Sequence, residues 1–255
     1  MSVKIDLNGK VAIITGASRG IGEAIARAFA RAGAMTVLAS RKRESLEKVA
    51  QKIREEGGVA LALPCHVGRQ EEVESLVRSA VERFGKVDVL VNNAATNPYF
   101  GPMMLLEESA WDKTFEVNLK GPFYAIRALV RHLQERQAPG SIINIASVAG
   151  MMGMPLQGIY AMTKAALISM TRTLAIELGP AQIRVNAIAP GLIDTRFSAA
   201  LVSNEEIRGS ILNRLAIKRI GVPDDVASLA LLLASDASSY ITGACFVVDG
   251  GWSIT

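Results

Sequence analysis

The chain has 255 residues, half of them hydrophobic and a fifth charged, and its 28 Lys and Arg outnumber 24 Asp and Glu for a net charge of +4. That length buries a sizeable core as one domain over residues 1–255, and no apolar stretch reaches the ~18–20 residues of a membrane span. Basic and acidic residues interleave, which argues against a nucleic-acid partner; two cysteines, Cys65 and Cys245, and two histidines, His66 and His132, are too few and too separated for a metal site.

Residues 1–9 lack the apolar core of an export signal. The first short β-branched run, 10–15, leads directly into Gly16-Ala17-Ser18-Arg19-Gly20-Ile21-Gly22 and then into an Ala-rich helical stretch at 23–30. Glycines between a strand and a helix start are the context of a dinucleotide-binding turn. Gly16 permits the tight turn, Gly20 lets backbone approach a pyrophosphate, Gly22 allows close packing, and the helix start offers unpaired N–H groups to the anion. The spacing is G-x-x-x-G-x-G rather than G-x-G-x-x-G, and taken alone it also suits an ordinary glycine-rich connection.

Further strands are expected at 35–39, 59–63, 87–91, 141–146, 183–188 and 245–248, with helices between them. Near-continuous apolar strands alternating with helices predict an α/β fold: a Rossmann-like, doubly wound parallel sheet of about seven strands, covered on both faces. Ser40-Arg41-Lys42-Arg43 follows the second strand directly. The longest irregular stretches, 92–104, 147–156 and 190–204, follow strand ends, where ligands bind in such sheets. Tyr160 and Lys164 lie four apart on one helix face, where an ammonium would favour the phenolate and make a proton-transfer pair. Alone, such a pair usually decorates a solvated face.

The joint pattern is more specific. Thr15 to Gly22, Asn92-Asn93-Ala94-Ala95, Asn118, Ser147, Tyr160-x-x-x-Lys164 and Pro190-Gly191 occur in this order and together resemble the short-chain dehydrogenase/reductase family over residues 10–251. The resemblance implies hydride transfer between a nicotinamide cofactor and a carbonyl or secondary alcohol. Ser147 would hydrogen-bond the carbonyl oxygen and Tyr160 would deliver the proton. Lys164 would bind the nicotinamide ribose and depress the Tyr160 pKa, and Asn118 would hold a water linking Lys164 to solvent through a bent helix. Cofactor contacts are expected from Gly16, Ser18, Arg19, Gly20, Ile21 and Gly22, and from Asn93, Ala94 and Ala95. Tyr160, Lys164, Pro190, Gly191, Ile193 and Thr195 complete that set around the nicotinamide, while Asn92 is expected only to tie strands.

Two departures are small. Ala95 stands where the family usually has Gly, and Cys65-His66-Val67 stands where an Asp-Val pair is common, so His66 and Val67 are expected at the cofactor without the carboxylate contact that many relatives make near the adenine. At the second strand end an acidic residue would bind the 2′-OH of NAD; Ser40 and Arg41, with Arg19 across from them, suit a 2′-phosphate instead. NADP(H) is therefore the favoured cofactor, with NAD(H) the alternative.

Met103, Met104, Met151, Met152 and Met154, with Phe100, Leu192 and Phe197, crowd the expected site loops, which favours an apolar, adaptable pocket over a sugar site. Cys65-His-Val-Gly and the segment 93–102 also resemble NADPH-dependent carbonyl reductases that act on retinal, aromatic ketones and dicarbonyls. The expected substrate is an apolar ketone or aldehyde. Alternatives are a 3-oxoacyl thioester, a secondary alcohol oxidised with NAD, or a catalytically idle dinucleotide binder. The C-terminal Ser253-Ile254-Thr255 differs from the small-basic-Leu tripeptide of peroxisomal relatives, so a cytoplasmic location is expected. The last strand, with helices at 110–134 and 158–178, resembles the surfaces that build homotetramers in the family.

Overall fold

Seven apolar runs form one sheet: β1 (Val11–Thr15), β2 (Met35–Ser40), β3 (Val59–Pro64), β4 (Val89–Asn92), β5 (Gly140–Ile145), β6 (Ile183–Pro190) and β7 (Cys245–Val248). The computed structural model describes residues 5–203 and 205–255; residues 1–4 of the N-terminal stretch and Asn204 of the 190–204 loop lie outside them. The strand order is β3-β2-β1-β4-β5-β6-β7 and every pairing is parallel. Chain order therefore reverses between β1 and β4, opening a crevice at their carboxyl ends.

Alternation along the strands explains the two helical layers. Ala12 and Ile14 of β1 join one buried cluster with Ile25 and Phe29 of α1 (Gly20–Arg31), Leu46 of α2 (Arg43–Glu55) and Val226 and Leu233 of α9 (Pro223–Ala234). Val11 and Ile13 face the other way, against Leu76 of α3 (Gln70–Phe84) and Leu129 of α5 (Gly121–Glu135). Both faces of the sheet are thus covered, as a period of two between two helical layers requires. Among the described residues no helix is long and apolar enough to cross a membrane.

The expected strands shift by one or two residues at their ends, β5 spanning Gly140–Ile145 and β6 running on to Pro190, and two differences have a cause in the contacts. β4 begins at Val89 rather than at 87 because the preceding pair is engaged elsewhere. The Val87 N–H donates to His132 Nε2 at 3.2 Å, and Asp88 accepts the Val11 N–H at 2.9 Å while pairing with Lys86. The helix expected over 110–134 is two helices, α4 (Glu108–Phe115) and α5, joined by a π turn at Glu116–Lys120 in which the Gly121 N–H reaches back five residues to Glu116. Pro122 has no N–H with which to close an α-turn on the Asn118 carbonyl, so the backbone widens there. The remaining helices are α6 (Gly158–Leu178), α7 (Ala199–Val202) and α8 (Glu205–Arg214).

Candidate active site

At the carboxyl end of β1, Gly16 and Gly20 adopt φ of +67° and +58°, a region side chains rarely visit. Gly22 is required for a different reason: an added Cβ would meet the Gly16 carbonyl and lie 2.5 Å from Asn93 Nδ2. No side chain caps the start of α1, whose Ncap Arg19 is extended, so the first N–H groups face outward beside the glycines. Ser18 and Ile21 lie in this loop, partly exposed.

Three further strand ends converge on it. The Ala17 N–H donates to Ala39 at 3.3 Å, bringing the loop beside Ser40 and Arg41. Arg19 and Arg41 are exposed, and neither is ion-paired with another described residue. From β4, the Asn93 amide donates to Thr15 O at 2.9 Å and to Gly16 O at 3.2 Å, and the N–H groups of Asn93 and Ala94 both donate to Thr15 Oγ1. The Asn93 side chain thus pins two strand ends, leaving the Ala94 and Ala95 backbone along the crevice. Asn92 does tie strands, donating to Asn144 Oδ1 at 2.9 Å. From β6, the segment after Pro190 and Gly191 returns over the loop: a Cβ on Gly20 would lie 3.2 Å from Thr195 Cγ2, Ile193 is buried, and Ser198 bonds both residues.

His66 and Val67 end up at the far side of this crevice, but the imidazole is committed. Its Nδ1 lies 3.2 Å from the Gly68 nitrogen and 3.7 Å from Glu116 Oε1, and its Nε2 lies 3.1 Å from Lys113 Nζ, so a neutral ring accepts from Gly68 or from Lys113 but not from both. Among the described residues no trio of His, Cys, Asp or Glu is placed to hold a metal.

β5 and α6 supply the proton-bearing groups. Ser147, extended just past β5, accepts the Ala149 N–H at 3.1 Å and hydrogen-bonds the Tyr160 hydroxyl. Lys164 is 2% exposed; its Nζ donates to Ile145 O at 2.7 Å and lies 5.5 Å from the Tyr160 ring centroid. Asn118, on the π turn, accepts the Thr96 N–H at 2.8 Å and donates to Thr96 O and to Thr163 Oγ1. Thr163 in turn donates to Tyr160 O at 2.8 Å. Asn118 is therefore a clasp between the loop after β4 and the helix bearing Tyr160.

The electrostatics correct one expectation. Burial pushes the Tyr160 phenol up to about 12, opposed only by its bond to Ser147, so Lys164 does not bring it below its ordinary value in this arrangement. Burial also draws the Lys164 ammonium down to about 8. Because that folded value lies below the unfolded one, burying the charge costs stability at neutral pH, and the cost fades as pH rises from about 8 toward ~10. Removing it recovers about 3 kcal/mol and forfeits about 1 kcal/mol of hydrogen bond. Lys164→Met should therefore be about 2 kcal/mol more stable than wild type at pH 7, with a smaller gap at pH 9.5. Urea unfolding of both proteins at matched concentration checks this; a gap independent of pH contradicts it.

Apolar side chains surround the phenol. Phe197 lies 6.0 Å from the Tyr160 ring, Met154 packs on Tyr160 and Ala149, and Val148, Leu215 and Trp252 form the adjoining cluster. Met151, Met103 and Met104 are largely exposed at its margin. The sequence assigns no role to Thr163 or the Ile145 carbonyl, and Thr15 enters it only as the first residue of the glycine motif; a Thr closing a strand before glycine is the one of the three with a local signal.

A family model described as enoyl-(acyl carrier protein) reductase matches residues 16–253. Human "Dehydrogenase/reductase SDR family member 4" is 42% identical over 251 residues, 98% of this chain and 90% of the relative. "Tropinone reductase-like 3" of Erythroxylum coca is 38% identical over 243 residues, 95% and 93% of the two chains. Among solved structures, a short-chain type dehydrogenase/reductase from Mycobacterium marinum superposes with a TM-score of 0.94 at 35% identity, covering 98% of both chains. A gluconate 5-dehydrogenase from Burkholderia cenocepacia J2315, in complex with NADP and tartrate, gives 0.94 at 33% identity and 98% of both.

Proposed function

Since the chain belongs to the short-chain dehydrogenase/reductase family, oxidoreductases that act on alcohol and carbonyl groups with a nicotinamide dinucleotide, we propose that it is an NADP(H)-dependent reductase of apolar ketones or aldehydes. The observation that carries the reading is the Ser147–Tyr160–Lys164 group, with Tyr160 and Lys164 buried and Ser147 half-buried, at the carboxyl end of a strand one place removed from the one that carries the glycine loop.

The crevice fits the cofactor. Gly16 and Gly20 leave backbone without Cβ, the first turn of α1 is uncapped, and Arg19 and Arg41, without an ion-pair partner among the described residues, are cations suited to a 2′-phosphate. Ser40, Val67, Asn93, Ala94, Ala95, Ile193 and Thr195 would line the rest. When bound, the nicotinamide supplies or accepts the hydride. Ser147 would donate to the substrate oxygen, and Tyr160, protonated at neutral pH, would deliver its proton there. Lys164 would stabilise the phenolate that results and hold the ribose, while Asn118 would keep open the route by which the proton is replaced.

Phe197, Met154 and Trp252 support an apolar substrate. The family model's description favours an acyl thioester as the second reading. Cofactor deuterated at the nicotinamide C4 tests direct transfer: the label should appear on the carbinol carbon of the product, and an unlabelled product would overturn the proposal.

A homotetramer is part of this reading. Trp111, Phe123, Met162 and Ile176 on α4, α5 and α6, and Val247 on β7, leave apolar surface exposed. Light scattering should give four times the 27.2 kDa chain mass, and a stable monomer at micromolar concentration would contradict it. Unpaired Cys65 and Cys245 fit a cytoplasmic setting.

A further inference from the structure

The loop after β3 and the π turn are keyed into each other. A Cβ on Gly68 would collide with the Glu116 carboxylate, and one on Gly121 would lie 3.0 Å from Val67. The two ends of the π turn therefore close on consecutive residues of that loop. Across the seam, Lys113 Nζ reaches His66 Nε2 at 3.1 Å and donates to Glu116 Oε1 at 3.2 Å. The loop itself is braced: the His66 N–H donates to Glu72 at 2.7 Å, and Arg69 pairs with the same carboxylate at 2.8 Å.

The opposite side of the same five-residue turn carries Asn118, whose carboxamide spans Thr96 and Thr163. Pro122 removes the α-turn bond to Asn118 O and so widens the backbone, but the rotation of the five residues about that break is left to the side chains that grip the turn. A rotation there would carry Asn118 away from Thr163, and with it the support beneath the Tyr160 carbonyl. We propose that Lys113, with His66 and Glu116, is a positioning group for hydride transfer. Its polar contacts at the end of β3 hold the π turn in the register that lets Asn118 brace the helix bearing Tyr160.

The inference rests on the proposed reductase activity, and its test separates the two. Lys113→Met should lower kcat about tenfold, the scale of a side chain acting through a packed neighbour, with the Kd of NADPH changed less than about threefold. Amide exchange over residues 116–120 should accelerate. Lys113→Arg, which keeps the cation, should restore at least about half of kcat. In an Asn118→Ala background, Lys113→Met should cost nothing more, because the contact it supports is already gone. Losses that multiply in the double variant would overturn the proposal, as would unchanged kcat and exchange in Lys113→Met, or a loss confined to NADPH binding. Should Lys113→Met fail to fold, Glu116→Gln carries the same expectations at unchanged side-chain length. A wild type without turnover would defeat the reductase reading alone, and the exchange rates would still decide whether Lys113 holds the turn.

Discussion

Tyr160→Phe should reduce turnover by at least ~10²-fold while leaving the fold and NADPH binding intact, the usual scale for loss of a positioned acid or base. The ring itself is structural: it is buried, contacts Phe197 and Met154, and Phe preserves each of those contacts. Only the hydroxyl is deleted, and with it the hydrogen bond to Ser147. A phenol pushed up to about 12 stays protonated at neutral pH, which is the state a reductase needs at its proton donor. The ammonium 5.5 Å from the ring matters at the next moment, when the proton has left and a phenolate must be tolerated. Stopped assays with NADPH and a ketone, alongside fluorescence titration of NADPH, separate the two effects. Near-normal turnover in a folded, NADPH-binding Tyr160→Phe protein would remove Tyr160 from the chemistry and restore the idle-binder alternative.

Arg41→Asp should invert the cofactor preference. Arg41 directly follows β2 at the edge of the crevice, is exposed, and has no carboxylate partner among the described residues. Losing a charge-assisted contact and gaining a repulsive carboxylate should cost about 2–4 kcal/mol of NADPH affinity, while a carboxylate there can accept the 2′-OH of NADH. Affinity ratios for the two cofactors in wild type and variant provide the check. An equal loss for both would make Arg41 a structural residue.

What the sequence conveyed was governed by locality. The glycine loop, the Tyr160–Lys164 pair and the strand ends are read within a few residues, and the parallel sheet follows from apolar runs alternating with helices. Arg41 needed only its place after β2. The π turn was legible only through the resemblance, which implies a bent helix at Asn118: the periodicity of 110–134 runs straight through it, and Gly121-Pro122, the residue pair that widens the backbone, is its local mark. The direction of the Tyr160 shift was misread for a different reason. Spacing reports the nearby Lys164, whereas burial, the larger cause here, is a property of the assembled core. His66 is expected near the adenine from its position after β3; its neighbour Lys113, a partner 47 residues away, is one that no local pattern signals.

The Ser147–Tyr160–Lys164 group is proposed to serve NADPH-dependent reduction of an apolar carbonyl. Absorbance near ~340 nm, followed while the purified protein is mixed with NADPH or NADH and a panel of aromatic and aliphatic ketones, aldehydes and 3-oxoacyl thioesters, tests it most directly. Absorbance should be lost mole for mole with alcohol formed, faster with NADPH, with an apolar ketone or aldehyde as the preferred substrate, and the loss should be abolished in Tyr160→Phe. Stable absorbance across the whole panel, from a folded protein shown to bind NADPH, would contradict it.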